Sequence, residues 1–202
     1  MFRVIGLMAA LLAPPPIWAQ TIPAPTSAQT PPIMIATRDV AVTYRSIGIE
    51  TTATYEMAWL AAQGKLRATI PELGWTVADH RAGTGFLVVE AERRVMDMPA
   101  IVLHGQIGPP AGASFTREGA QRIAGQPCTE WRYQGGAQQG VVCLTADGVM
   151  LRTRITAGGP AGATGGLEAT QVRYEAQDPQ RFQMPEGYQR VQPRAPRERP
   201  AR

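Results

Sequence analysis

The chain has 202 residues, of which 44% are hydrophobic and 18% charged, with two Cys and two His. These Cys and His form no H-x-H, H-E-x-x-H or Cys/His cluster, so a structural or catalytic zinc site is not expected. The net charge of +4 sits at the ends: Arg3 supplies one positive charge and residues 190–202 set five Arg against Glu198, so residues 20–189 carry a net −1. A folded nucleic-acid-binding face is not expected of such a domain.

Residues 1–20 read MFRVIGLMAALLAPPPIWAQ. Arg3 is a positive n-region, Val4–Ala13 an apolar run, and Ala19 the small residue of a cleavage boundary, so residues 1–19 are expected to be a secretory signal peptide. The run is far shorter than the roughly twenty residues of a bilayer span, and Pro14–Pro16 would stop a helix there. The alternative is an uncleaved anchor or a buried core helix. No Cys lies near the boundary, so lipoprotein acylation is not expected, and no second long apolar stretch follows. The mature chain is therefore expected in the periplasm or outside the cell, without a transmembrane segment. Residues 20–34, rich in Pro, Ser, Thr and Ala, read as a disordered leader.

Residues 35–189 are expected to form one β-rich domain. Period-2 alternation recurs between turn residues: Val40, Val42 and Tyr44, then Tyr55, Met57 and Trp59. Gly64-Lys65 turns into Leu66, Ala68 and Ile70; Trp75 and Val77 make a short run; Arg81–Gly85 turns into Phe86–Ala91, with Val95–Met98 read as its continuation. Residues 99–114, rich in Pro and Gly, read as a loop. The best helical candidate is one turn at Asp178–Phe182, with Asp178 as N-cap and Pro179 at N1. Residues 190–202, Arg- and Pro-rich, read as a disordered basic tail, either a solvated end or an electrostatic attachment to an anionic surface.

The second half permits a register. Asp147-Gly148 and Gly135-Gly136 are hairpin centres. Folding about both collects Trp131, Tyr133, Val142, Leu144, Leu151, Thr153 and Ile155 on one face, and Cys128, Glu130, Arg132, Val141, Cys143, Arg152 and Arg154 on the other. An apolar and a charged face describe an antiparallel, half-solvated sheet. The same folding sets Cys128 opposite Cys143, and in an oxidising compartment the two are expected to form a disulfide rather than a redox pair, since no C-x-x-C is present.

No catalytic constellation emerges, and no cofactor or metal is expected. His80 and His104 each stand alone, and Asp79-His80 reads as a turn pair more readily than as part of a triad. Gly83-Thr84-Gly85 and the GGPAGATGG stretch at 158–166 run into no helix that would hold a phosphate, so both read as turns or loops. The chain is not expected to be an enzyme.

Three segments carry a family resemblance: FTREGAQRIAGQPCTEW (115–131), GVVCLTADGVMLR (140–152) and DPQRFQMPEGY (178–188), with RDVAVTY (38–44) suiting a first strand. They resemble an uncharacterised family of exported bacterial proteins grouped with the lipoprotein-carrier (LolA/LolB-like) folds. The resemblance implies a mainly β fold: a single antiparallel, strongly curved sheet, an unclosed barrel around an apolar cavity. Carriers of this fold plug the cavity with helices, for which this sequence has almost no pattern.

Two functions follow as expectations. The first is binding of a hydrophobic small molecule or acyl chain on an apolar face lined by Trp59, Trp75, Trp131, Tyr133, Leu144 and Leu151; the competing reading makes these residues ordinary core. The second is a cell-envelope interaction module, docking on a protein or anionic surface through Glu130, Arg132, Arg152 and Arg154 or through the tail.

Overall fold

The computed structural model describes residues 30–48, 53–100, 102, 108–159 and 162–191. The expected signal peptide, most of the leader, His104 and residues 192–202 of the tail lie outside the described residues. Twelve strands follow one another: β1 Val40–Ile47, β2 Thr54–Leu60, β3 Lys65–Ile70, β4 Gly74–Asp79, β5 Thr84–Val89, β6 Arg94–Pro99, β7 Ser114–Ile123, β8 Gln126–Gly135, β9 Gln138–Leu144, β10 Met150–Ala157, β11 Gly165–Arg173 and β12 Gln189–Val191. They form one sheet in the order β12-β6-β5-β4-β3-β2-β1-β11-β10-β9-β8-β7, not closed into a barrel.

All pairings are antiparallel except the last, where β12 runs parallel to β6, so the sheet is mixed rather than wholly antiparallel. β12 also takes up Arg190 and Val191, two residues that the sequence places in the tail. Arg190 is held there by paired bonds of 2.8 and 2.9 Å to the Asp97 carboxylate.

One cleft is lined by both Ile70 of β3 and Ile155 of β10, which stand on strands four positions apart. On a flat sheet, spacings of about 4.8 Å would hold those strands about 19 Å apart. The sheet therefore bends around this face, here called inner. Register places Met96, Leu87, Thr76, Ala68, Met57 and Val42 on the inner face from β6 to β1. Leu167, Thr153, Val142 and Trp131 continue it from β11 to β8. Fully buried Tyr44 of β1 pairs with small Ala169, and its hydroxyl donates to the Met150 carbonyl of β10 at 2.6 Å. A buried phenol needs such an acceptor, and Ala169 leaves room to reach it.

The outer face differs between the halves. Across β8 to β1 it carries Glu130, Arg152, Glu168 and Arg45, joined in sequence by ion pairs of 3.5, 2.7 and 2.6 Å. Across β2 to β5 it carries an apolar patch, in which Ala58, Leu60 and Val77 pack against Phe182 with Trp75 and Phe86 beside them, next to Lys65 and Arg67 of β3. Phe182 arrives on a 3₁₀ turn, Pro179–Phe182, whose Asp178 cap accepts from the Gln180 amide as the sequence predicts. Asp39 anchors the approach, its two oxygens accepting from the Ala61 amide (2.8 Å) and the Gln177 amide (3.1 Å).

Two local expectations are corrected. Val95–Met98 does not prolong the preceding strand; β5 and β6 form a hairpin about residues 90–93, where Arg93 takes a left-handed conformation (φ 49°) and its amide bonds the Glu90 carbonyl. Glu-Ala-Glu-Arg contains neither Gly nor Pro, hence no turn signal. The β8–β9 hairpin centres one residue later than expected, because Gly135 pairs with Gln138. Moving the centre by one residue slides the partner by two, so every side chain keeps its face. Cys143 thus sits opposite Glu130 and is diagonal to Cys128, and the expected disulfide forms with Cα atoms 5.5 Å apart.

Candidate functional site

The cleft on the inner face has a volume of about 360 Å³. Tyr55 and Met57 of β2, Ala68 and Ile70 of β3, Ile155 of β10 and Leu167 of β11 form its apolar wall. Alternation explains the composition: the inner face collects every second residue of strands whose other face meets charge or solvent. Its position follows from glycine. Gly165 pairs with Ile155 and sends no side chain across the gap. A Cβ on Gly166 would stand 1.8 Å from the Thr153 carbonyl, so only Gly allows β10 and β11 this approach. The GGPAGATGG stretch is accordingly not all loop, since its last two glycines open β11.

Among the described residues no Asp, Glu, Lys, Arg or His lines the cleft; its polar lining is Ser46, Thr69, Thr153, Thr164 and the Tyr55 phenol. Such a wall offers burial of apolar surface and neutral hydrogen bonds. A larger groove of about 580 Å³ on the outer face is of different character, with Lys65, Asp79, Asp97 and Arg190 among its lining.

None of the six residues expected at the ligand site lines the cleft. Trp59 (4% exposed), Tyr133 (1%), Leu144 (3%) and Leu151 (0%) are closed in by neighbouring side chains. Trp131 is half-buried against the Tyr133–Val142–Leu144 cluster. Leu151 occupies the bulge between Met150 and Arg152, so Met150 rather than Leu151 lies beside Leu144. Trp75 is on the opposite face: it pairs with Thr69, meets Phe86 edge-on at 5.6 Å between ring centroids, and donates to Glu90 at 2.8 Å. The alternation in the sequence already included Tyr55, Met57, Ala68, Ile70 and Ile155. Which end of the face stays open depends on the distant glycines of β11.

The remaining sequence candidates have local roles. Asp79 accepts from the Arg81 and Ala82 amides at 3.1 and 2.9 Å, forming the turn into β5. The His80 amide bonds Gly64, and burial holds the half-buried imidazole below its ordinary pKa against the opposing pull of Asp79. On the charged face Arg132 pairs with Glu118 at 2.9 Å, while Arg152 pairs with Glu130 and Glu168.

No protein-family model matches the sequence, and no curated protein matches it. Its fold does have counterparts among solved structures. The chain is similar to an uncharacterised conserved protein from Thermus thermophilus, at TM-score 0.57 and 14% identity over 78% of this chain and 91% of that one. The two share a fold. PNGF-II is similar at TM-score 0.50 and 14% identity, over 78% of this chain and 31% of that one. MucB, solved in complex with MucA(peri), follows at TM-score 0.47 and 15% identity, over 76% of this chain and 56% of that one. The chain thus spans about half of MucB and a third of PNGF-II. The unclosed barrel implied by the motif resemblance is the architecture found.

Proposed function

We propose that this is an exported cell-envelope protein that binds a hydrophobic, lipid-like ligand in the inner-face cleft without chemically changing it. The observation that carries the reading is an apolar cleft of about 360 Å³ with no Asp, Glu, Lys, Arg or His among the described residues of its lining. A site of that kind favours an acyl chain or another neutral apolar group, held by removal of its surface from water. Export is supported by the n-region, apolar run and Ala19 boundary of the first nineteen residues, and by a disulfide that suits an oxidising compartment. Docking through the charged outer face has less support, because Arg132 and Arg152 are engaged by acidic neighbours of the same chain.

The test is native mass spectrometry of the protein expressed with its own N-terminus and recovered from the periplasm, no ligand being added. A co-purifying mass of lipid size is expected, lost in Ile155→Glu and retained in Arg154→Gln, whose side chain is on the outer face. Ligand-free protein throughout, also after incubation with phospholipid vesicles, would sink the ligand reading. An unprocessed N-terminus would sink the export reading.

A further inference from the structure

On the other side of the sheet, Arg67 of β3 is a half-buried guanidinium with no carboxylate within ion-pair distance among the described residues. Its guanidinium carbon lies 4.4 Å from the centroid of the Trp75 ring, and Nη1 donates to Thr69 Oγ1 at 3.4 Å. Nε is buried and has no hydrogen-bond partner among the described residues. Burying a cationic donor without an acceptor is costly, and native structures ordinarily supply the acceptor.

The surroundings add positive charge. Arg67, Arg173 of β11 and Arg181 of the 3₁₀ turn line one small cleft of about 20 Å³, with Glu56 as its only acidic residue among the described residues. Arg173 is paired elsewhere, to Glu175 at 3.2 Å, and Arg181 donates to the neutral Gln177 Oε1 at 3.3 Å with no acidic partner among the described residues. Burial pushes the Arg67 pKa down and Arg181 pushes it further, against the pull of Glu56 and Glu90. An intruding anion would relieve both effects at once. The space admits an oxygen or two, so the bulk of the ligand must remain outside.

We propose that the outer-face cleft between Arg67, Arg173 and Arg181 is a binding site for a small oxyanion, a carboxylate or phosphate group, whose oxygen accepts from the Arg67 guanidinium and from Arg181. Guanidinium forks match the spacing of such oxygens, and charge-assisted bonds of this type exceed neutral ones in strength. Stacking on Trp75 holds the Arg67 fork in plane and restricts its rotation. The site lies across the sheet from the apolar cleft and does not depend on the function proposed for that cleft.

The experiment follows the Arg67 Nε–Hε resonance of the whole ¹⁵N-labelled protein, assigned by its loss in Arg67→Lys. Inorganic phosphate and, separately, acetate are titrated against chloride at constant ionic strength. A saturating shift is expected, weakened about tenfold in Arg181→Gln through loss of a charge-assisted bond, and unchanged in Arg154→Gln. Saturation by both anions assigns a carboxylate-type site, and saturation by phosphate alone assigns a phosphate site. A shift that stays linear in anion, or is equal in Arg181→Gln and wild type, would overturn the proposal.

Discussion

The two halves of the sheet solve the same problem differently. From β8 to β11 the strands are apolar on the inner face and charged on the outer, and a disulfide ties β8 to β9. From β2 to β5 the outer face also carries an apolar patch, which needs a cover, and the chain provides it from its far end with Phe182 and the segment leading to β12. A half-solvated sheet is complete once its hairpins close. A two-sided one stays incomplete until a segment about a hundred residues away docks, so the stability of the first half should depend on the last residues of the domain.

The largest effect is expected at that cover. Phe182→Ala removes a side chain only 1% exposed and should cost about 3–5 kcal/mol in urea unfolding. A cost under about 1 kcal/mol would mean that the cover is dispensable, and the contrast between the halves would fail. Next is the other half's own device. Replacing Cys128 and Cys143 together by Ala, opening a bridge between residues 15 apart, should cost about 3 kcal/mol and lower the thermal midpoint. If it costs as much as Phe182→Ala or more, the charged half is the weaker one.

A smaller effect is expected at the β9–β10 turn. Asp147 accepts from Arg38 Nε at 2.9 Å, Tyr174 at 3.2 Å and Thr145, fastening the entry segment to the hairpin. Burial pushes its carboxyl up, yet the hydrogen bonds from Thr145 and Arg38 together hold it below the ordinary value. A carboxylate depressed by folding adds stability that is present above the unfolded-chain pKa and disappears as pH falls through the folded one. Asp147→Asn should therefore cost about 1–2 kcal/mol at neutral pH and flatten the loss of stability below about pH 4. Parallel acid-denaturation curves for variant and wild type would remove Asp147 from the account.

The smallest effect is expected at the tip of the β7–β8 hairpin, where Ala124 has φ 47° beside Gly125 at φ 76°. Both turn residues are left-handed, as in a type I′ turn, and Ala is a poor occupant of the first position. Ala124→Asn should raise stability by about 0.5–1 kcal/mol. A fall instead would show that the methyl group has a packing role worth more than its backbone strain.

Local pattern made the second half of the domain legible. Asp147-Gly148 fixed one register, alternation fixed the faces of Trp131, Val142 and Thr153, and even a misplaced hairpin centre left those faces right, because the error was two residues in pairing. The first half was less legible. The turn at residues 90–93 contains no turn residue, and strands buried on both sides blur the alternation that tells which face a residue takes. Trp75 shows the consequence: grouped with Trp59 by size and apolarity, it lies across the sheet from it.

The sequence by itself determined a mainly β domain, the apolar and charged faces of its second half, the cystine and the capped turn at Asp178, since each rests on contacts between near neighbours or on a strict period of two. Tertiary structure alone decided that β12 returns to β6, that Phe182 covers the outer face, and that the opening of the inner face lies at Ile70, Ile155 and Leu167 rather than among the tryptophans. These are encounters between distant segments, set by curvature and by where glycine leaves space, and no periodicity along one strand encodes where another strand will come to lie.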